Sequence, residues 1–458
     1  MNSNYPKHSN VILHAFDWPY ALVAQRAKEI RAAGYQTVLI SPPMKSYKSE
    51  QGTQWWQRYQ PQDYRVIDNQ LGNTDDFKAM IAALNEQGVW LYVDVVFNHM
   101  ANESSLRDDL SFPNAQDMSA YKADADYYEQ QKLFGDLSKP LFTEDDFLEA
   151  FPIEDWKDPW QVQTGRISGG PQDPGLPSLS DNEHVVEQQQ AYLKALKSLG
   201  VKGFRIDAAK HLSLEHLEKV WTEEIVHDVH IFGEIITDGG ATEDEYELFL
   251  QPYLEQTRLS AYDFPLFQTL FDALEPKGSM KSLIDPYSFG QALSSRRAIT
   301  FAVTHDIPNN DVFSNLVMEE QDEWLAYSYI LGRDGGVPLI YTDLDTSGIQ
   351  GDDKQPRWLN AWHDNRMQKR IEFHNRMHGE RMELIEASDD LLVFYRGEVA
   401  ELAKGIVALN KSKRPQTLTI DIFGEWYDLL SGKVFQSDGE SLTLSIAAND
   451  SLMLVHAR

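Results

Sequence analysis

The feature of this sequence that most constrains its fold is an alternation of strand-like and helix-like stretches. Short apolar runs are followed by segments with the apolar spacing of an amphipathic helix. The eight predicted strands are residues 11–16, 37–40, 89–97, 202–208, 230–235, 260–264, 299–304 and 337–341. This pattern predicts an α/β fold, a (β/α)8 (TIM) barrel in which helices wrap parallel strands. A doubly wound open sheet is the alternative, but no GxGxxG follows the first strand.

Two stretches depart from this alternation and predict further domains in a chain of 458 residues. Residues 100–182 are rich in Asp, Pro, Gly and Ser and have no clear period, so we interpret them as a subdomain inserted after the third strand. Residues 385–458 contain short β runs without helices, which predict a C-terminal antiparallel β-sandwich domain. The barrel then comprises residues 1–99 and 183–384.

The composition excludes several classes of function. The formal net charge is -30, from 41 Lys and Arg against 71 Asp and Glu, so the surface repels nucleic acids and anionic membranes. There are no cysteines, which excludes disulfides, a thiolate zinc site and a cysteine nucleophile. The N-terminal sequence lacks a basic segment followed by a long apolar run. We therefore expect no transmembrane helix and a cytoplasmic monomer, secreted only if a leader was removed.

Polar side chains recur at the ends of the predicted strands, which converge on one face of such a barrel. Arg205 and Asp207 share one face of the strand at 202–208. Taken alone, this pair is explained equally well as a structural salt bridge. Because four strand ends carry such residues, we interpret them as a site. The candidates are Asp94, Asn98 and His99 from the third strand, Arg205, Asp207, Lys210 and His211 from the fourth, Glu234 from the fifth, and His305 and Asp306 from the seventh.

Several carboxyl groups without a serine or cysteine nucleophile motif indicate chemistry between acids. A glycosidase needs one carboxylate as nucleophile or base and one carboxylic acid that protonates the leaving oxygen. The aromatic loop that contains Trp55, Trp56 and Tyr59 would stack on sugar faces, although barrel packing explains each ring equally well. The alternative is a metal-dependent hydrolase with the ligands His99, Asp207, Glu234 and His305. Two observations disfavour the metal-dependent hydrolase. The first strand lacks an HxH motif, and the candidate ligands lie beside Arg or Lys.

Six stretches resemble the α-amylase family of retaining, α-glucan-active glycoside hydrolases (family 13 type). DVVFNH, GFRIDAAKH, FGEI and VTHD are similar to its four main regions, and WWQRYQP and LPSLS are similar to two accessory regions. They follow the expected order along the chain, five of them within the predicted barrel and LPSLS at the end of the predicted insertion. The resemblance implies hydrolysis of α-1,4-glucosidic bonds in starch, glycogen or maltooligosaccharides, with retention through a covalent glucosyl-enzyme intermediate.

The resemblance also implies a role for each matching residue. Asp207 would be the nucleophile, Glu234 the general acid/base, and Asp306 the third carboxylate that stabilises the distorted sugar. Arg205 would hold Asp207 ionised, and Asp94 would support the site from behind. The expected sugar contacts are Tyr59, His99 and His305 at the cleaved bond, Trp55, Trp56 and Gln60 on the donor side, and Lys210 and His211 on the leaving-group side.

Two departures from the family pattern concern bound ions. Thr304 replaces the usual Asn of the fourth region, so we expect no chloride. In LPSLS, Ser178 stands where the family usually has an Asp that commonly binds calcium. Asn98 and the carbonyl of His211 are left as candidate ligands. Because calcium needs about 6–8 oxygen ligands, this loss weakens the site or moves it. The substitute carboxylates would be Asp173 and Asp181. We expect no organic cofactor.

Two other functions stay open. A 4-α-glucanotransferase would use the same three acids but exclude water from the acceptor side, and the sequence does not separate it from a hydrolase. A non-catalytic glucan-binding barrel is disfavoured by the intact acids. The C-terminal domain shows no paired Trp motif for starch, and Trp426 alone is more typical of a core residue.

Overall fold

The computed structural model describes residues 11–49, 53–170, 172–237 and 243–456. Eight parallel strands form a closed barrel, in which each strand pairs with its neighbours in sequence and the first pairs with the last. The strands are β1 Ile12–Ala15, β2 Thr37–Ile40, β3 Trp90–Val95, β4 Gly203–Ile206, β5 His230–Gly233, β6 Ser260–Tyr262, β7 Ala298–Thr300 and β8 Val337–Thr342. The (β/α)8 barrel is therefore confirmed, and each predicted strand overlaps an observed one.

The barrel strands are apolar because they are buried on both faces, by helices outside and by side chains inside. All four residues of β2 are buried, for example. Gly203 begins β4 where the ring of Tyr92 lies against the backbone. A Cβ at this position would lie 2.5 Å from that ring, so glycine is required.

Thirteen α-helices are found in the described residues, beside short 3-10 and π turns, and no helix there combines the length and the apolarity needed to cross a membrane. They are α1 Tyr20–Ala32, α2 Thr74–Glu86, α3 Ala115–Ala123, α4 Ala125–Gln131, α5 Pro159–Thr164, α6 Glu183–Leu199, α7 Leu214–Val220, α8 Glu223–Val226, α9 Gln251–Gln256, α10 Phe264–Leu274, α11 Asp306–Asn309, α12 Glu320–Gly332 and α13 Asn365–Arg376.

Two helices show how local sequence determines these bounds. Helix α2 begins with a capping box, since the Asn73 side chain accepts from the Asp76 N–H at 3.0 Å and the Asp76 side chain accepts from the Asn73 N–H at 3.0 Å. Helix α7 ends at Val220, and α8 begins only at Glu223. The Trp221 indole turns into the core and packs on Phe97 and Phe204, which interrupts the helix.

The inserted segment between β3 and α6, as far as it is described (all residues but 171), contains α3, α4, α5 and isolated β bridges rather than a sheet of its own. Buried polar groups attach it to the segment that follows β2. The guanidinium of Arg65 donates to the carbonyl of Lys139 at 2.9 Å, and the Tyr121 hydroxyl donates to Asp63 at 2.9 Å. The inserted segment is thus fixed to the mouth of the barrel.

The C-terminal domain consists of two antiparallel sheets, which confirms the predicted sandwich. Its strands are β9 Met382–Ala387, β10 Leu391–Arg396, β11 Gly405–Asn410, β12 Gln416–Ile420, β13 Glu425–Asp428, β14 Val434–Gln436, β15 Leu442–Ile446 and β16 Asp450–His456. One sheet has the order β9-β10-β11-β16-β13-β14, and β12 pairs with β15 in the other. Leu392 and Phe394 of β10 belong to the barrel core, whereas Leu391 and Val393 face the sandwich interior, which includes Trp426.

Strands β9 and β14 were not predicted, and β9 crosses the predicted domain boundary at residue 385. Both lie at the edges of the larger sheet, and much of each is exposed. Because an edge strand buries little apolar surface, it has only a weak hydrophobic pattern.

Two buried cations from the C-terminal domain bind backbone carbonyls of the barrel. The Arg396 guanidinium donates to the carbonyls of Gly332 and Arg333, at the end of α12, at 2.6 and 2.8 Å. It also donates to two carbonyls that follow α13. Lys411 donates to three carbonyls at and beyond the end of α10, at 2.7 to 2.8 Å. Carbonyls that lack partners at helix ends are thereby satisfied by positive charge.

Candidate active site

Arg205 lies at the centre of the candidate site and pairs with three carboxylates. Its Nη1 donates to both oxygens of Asp94, at 2.8 and 2.7 Å, and to Asp207 Oδ1 at 2.8 Å. Its Nη2 donates to Glu234 Oε1. The three acids come from β3 and from the ends of β4 and β5, and the parallel register places Asp94 beside Arg205. One guanidinium therefore fixes acids from three neighbouring strands through charge-assisted hydrogen bonds.

Exposure to solvent distinguishes Asp94 from the other three candidate acids, Asp207, Glu234 and Asp306. The side chains of Arg205 and Asp94 are 1% and 0% exposed. Those of Asp207, Glu234 and Asp306 are 10%, 8% and 16% exposed. The last three acids are therefore partly accessible from solvent, whereas Asp94 is fully buried beneath Arg205.

The turn after β4 holds the second oxygen of Glu234. Ala208 lies in the left-handed region at φ 47°, which is unfavourable for a residue with a side chain. In this conformation its N–H donates to Glu234 Oε2 at 3.1 Å. Both oxygens of Glu234 are thus fixed, one by Arg205 and one by a strained backbone turn.

The loop after β7 supplies the third acid together with an imidazole. One carboxylate oxygen of Glu234, one of Asp306 and one ring nitrogen of His305 all lie within 4.8 Å of one another. The His305 ring stacks on Phe16 and Tyr59, with centroid distances of 4.7 and 5.3 Å. These aromatic rings fix the position of His305 beside the acids.

Burial dominates the electrostatics of the site. It raises the pKa of Glu234, and the nearby Asp306 carboxylate raises that pKa further, whereas Arg205 opposes both. Burial also raises the pKa of Asp207, and the positive charge of Arg205 again opposes that rise. Burial lowers the pKa of His305 to about 3, so this imidazole is neutral near pH 7. A carboxyl with a raised pKa is suited to donate a proton.

Several of the predicted sugar contacts adjoin the acids. His99 Nε2 lies 2.9 Å from the carbonyl oxygen of Tyr59, and the Tyr59 hydroxyl donates to Asp94 Oδ2 at 2.9 Å. Trp55 packs edge-on against His305, with the ring centroids 5.8 Å apart. The structure therefore brings together Trp55, Tyr59, His99 and His305 with the four acids and Arg205.

The other predicted contacts are held by different partners. Gln60 accepts from the N–H of Asn102 at 3.0 Å, and Trp56 stacks on Tyr47 with a centroid distance of 6.1 Å. Lys210 pairs with Glu245 at 2.8 Å. His211 Nδ1 lies 2.8 Å from the carbonyl oxygen of Val162 in α5. His211 thereby connects the turn after β4 to the inserted subdomain.

The residues around Ser178 do not fit a calcium ion. The Ser178 hydroxyl donates to the carbonyl of Gly165 at 2.9 Å, and Asn98 contributes no charge. The two substitute carboxylates have other partners, since Asp173 accepts from Asn102 at 2.6 Å and Asp181 pairs with Lys219 at 2.8 Å. A set of neutral oxygens is a poor calcium site.

The metal-dependent alternative can be tested on the ligand geometry. Within the described ranges, one group of three His, Cys, Asp or Glu side chains has ligand atoms close enough to share an ion, and it consists of Glu234, His305 and Asp306. It includes neither His99 nor Asp207, which the metal-dependent hydrolase requires as ligands. The proposed metal-ligand set is therefore not assembled.

Comparison with known proteins decides the family. The family model described as "Alpha amylase, catalytic domain" matches residues 23–264, a range that includes Asp207 and Glu234. An alpha-amylase from Aeromonas hydrophila is 48% identical over 414 residues, which cover 90% of this chain and 87% of that protein. The chain belongs to the alpha-amylase family.

Solved structures related to this alpha-amylase family member share its fold. Wild-type alpha-amylase I from Eisenia fetida matches with a TM-score of 0.74 and 20% identity, covering 100% of this chain and 99% of that one. A cyclomaltodextrin glucanotransferase with a three-domain ABC distribution also matches with a TM-score of 0.74, at 18% identity, covering 99% and 100%. At these identities the similarity shows the fold alone, so it does not separate hydrolysis from glucanotransfer.

Two groups in the site were missed by the sequence reasoning. Phe16, which stacks on His305, follows β1, and the rule that strand ends line the site would have found it had apolar residues been included. The N–H of Ala208 binds Glu234, but a backbone donor has no signature in the sequence.

Proposed function

We propose that this alpha-amylase family member hydrolyses α-1,4-glucosidic bonds in starch, glycogen or maltooligosaccharides with retention of the α-anomer. The observation that carries the proposal is the arrangement around Arg205. Asp207 and Glu234 bind the same guanidinium, and one carboxylate oxygen of Asp306 lies within 4.8 Å of one of Glu234. Retaining enzymes need two carboxyl groups about 5–5.5 Å apart, one on each side of the scissile bond.

In the first step, the Asp207 carboxylate attacks the anomeric carbon while protonated Glu234 donates its proton to the glycosidic oxygen. The bond to the leaving sugar breaks and a β-glucosyl ester forms on Asp207. In the second step, the Glu234 carboxylate removes a proton from water, and the resulting hydroxide attacks the anomeric carbon. Asp207 is released and the product has the α configuration.

The surrounding residues stabilise the transition state, in which positive charge develops on the sugar ring. Arg205 favours the ionised form of Asp207 that attacks the sugar, and so opposes the rise in the pKa of Asp207 that burial causes. Asp306 and the neutral imidazoles of His99 and His305 would hydrogen-bond to ring hydroxyls. Because these groups are already fixed by packing, little reorganisation is needed during the reaction.

The nucleophile assignment is tested with Asp207→Asn. We expect starch hydrolysis to fall at least about a thousandfold, because the amide cannot form the ester. The circular dichroism spectrum and the unfolding midpoint should stay close to those of the wild type. Asp126→Asn, at an exposed acid of α4, is the matched control and should keep full turnover. Near-normal turnover of Asp207→Asn would show that another residue is the nucleophile.

A product profile on maltoheptaose separates hydrolysis from glucanotransfer. A hydrolase gives only products shorter than the substrate, whereas a 4-α-glucanotransferase also gives longer ones. We expect shorter products, with the first one released as the α-anomer in an NMR time course. Products longer than maltoheptaose as the main species would favour the transferase.

A further inference from the structure

Two aromatic side chains of the inserted subdomain stack on each other at its surface, and we call this pair the platform. The Trp160 ring is 64% exposed and lies on the half-buried ring of Phe151, with a centroid distance of 5.2 Å and an interplanar angle of 10°. Large aromatic rings are usually buried, so a ring exposed to this extent and supported from behind by a second ring is a candidate binding surface.

The platform is rigid because α5 is anchored at both of its ends. The Asp158 side chain caps the helix by accepting from the Trp160 N–H at 3.0 Å. Val162 is fully buried, and its carbonyl oxygen lies 2.8 Å from His211 Nδ1. Trp160 is two residues before Val162, so it points to the opposite side of the helix, toward solvent.

The platform lies on the side of the cleft that contains Lys210 and His211. Trp156, which is 46% exposed, packs edge-on against the His211 ring with a centroid distance of 5.8 Å. The neighbouring Lys157 pairs at 2.6 Å with Asp244, in the segment that also supplies the Glu245 partner of Lys210. Trp156 and Lys157 therefore contact His211 and the segment that binds Lys210, and Trp160 follows Lys157 by three residues in the chain.

We propose that Phe151 and Trp160 form an outer subsite that binds the leaving-group end of a long α-glucan by stacking on a sugar ring. This rests on the proposed function, which places Lys210 and His211 on that side of the cleaved bond. The apolar C–H face of a glucose ring fits a flat aromatic surface. Three acids lie between Phe151 and Trp160 in the sequence, Glu154, Asp155 and Asp158, and their charge repels an anionic polymer but not a neutral glucan.

The test compares long and short substrates in Trp160→Ala. We expect kcat/KM on soluble amylose to fall about tenfold because one stacking contact is lost, which corresponds to about 1.4 kcal/mol. On maltotriose, which occupies far fewer subsites than amylose, kcat/KM should stay within about twofold of the wild type. Trp160→Phe keeps a stacking ring and should retain most of the activity on amylose.

Phe289→Ala is the matched control. Phe289 is 75% exposed but lies in the connection from α10 to β7, at the opposite end of the barrel from the site. This variant should behave as the wild type on both substrates. Equal losses on amylose and maltotriose in Trp160→Ala, or no loss on either, would overturn the outer subsite.

A binding measurement separates this inference from the proposed function. Affinity electrophoresis in amylose gels reports binding without turnover. If the wild type does not hydrolyse amylose but Trp160→Ala still lowers retardation in the gel, the proposed hydrolysis fails and the subsite stands. If the wild type hydrolyses amylose and Trp160→Ala changes neither retardation nor kcat/KM, the subsite alone fails.

Discussion

Replacing Arg205 with Met would test how the candidate acids are held. Methionine fills a similar volume but has no charge, so Asp94, Asp207 and Glu234 would lose the guanidinium that all three bind. Breaking one buried ion pair by removing one partner costs about 3–5 kcal/mol of folding free energy when the remaining charge persists. We expect Arg205→Met to destabilise the protein by at least this amount at neutral pH.

The dependence on pH identifies the cause. Burial raises the pKa of each of the three acids, and Arg205 opposes this rise in each case. Without Arg205 the folded-state pKa values rise further above the unfolded values of about 4. The folded protein then binds more protons than the unfolded one, so the free energy of unfolding falls as the pH rises from about 4 through the folded-state pKa values. Each titrating carboxyl contributes about 1.4 kcal/mol per pH unit, and three contribute up to about 4.

The assay is urea unfolding of wild type and Arg205→Met at intervals from pH 5 to pH 8. Arg65→Met is the matched control, because Arg65 is equally buried but pairs with one carboxylate, Asp63. It breaks one ion pair rather than three, so we expect it to destabilise the protein less than Arg205→Met does at neutral pH. If the destabilisation by Arg205→Met does not change between pH 5 and pH 8, the acids are not held by the charge of Arg205 and the electrostatic account is wrong.

Three other perturbations have expected outcomes. Asp306→Asn removes a negative charge that raises the pKa of Glu234, so the basic limb of the residual kcat/KM profile should move to lower pH; an unmoved limb would exclude this coupling. Dialysis against EDTA should leave the melting temperature of the wild type unchanged, whereas Ser178→Asp should gain a calcium-dependent increase; a fall on dialysis of the wild type would place a metal in the fold. Arg396→Met leaves four carbonyls without their donor and should destabilise the protein by at least about 3 kcal/mol in urea, with kcat per folded molecule unchanged.

The barrel could be predicted from the sequence because its strands are buried on both faces and therefore form continuous apolar runs. Helix α2 could be bounded from its cap residue Asn73 and the acids that follow. The edge strands β9 and β14 and the interruption at Trp221 could not, since each depends on what packs against it in three dimensions.

The candidate site also has features that the sequence predicts and features that it does not. Asp207, Glu234 and Asp306 could be found because parallel strands end at one face of a barrel. That Arg205 binds three acids at once could not be predicted, because it depends on the register of β3, β4 and β5 and on the reach of each side chain. The stacking of Trp160 on Phe151 is similar, since the sequence shows two aromatic residues nine positions apart but not their contact.

The buried contacts of Arg396 and Lys411 have a consequence for engineering. Both side chains leave the C-terminal domain and end on main-chain oxygens of barrel helices, which need those donors whatever sequence follows. A chimera that exchanges the C-terminal module with that of another enzyme would therefore have to supply a cation at both positions. Shortening the gene after α13 should yield an insoluble fragment rather than a minimal enzyme.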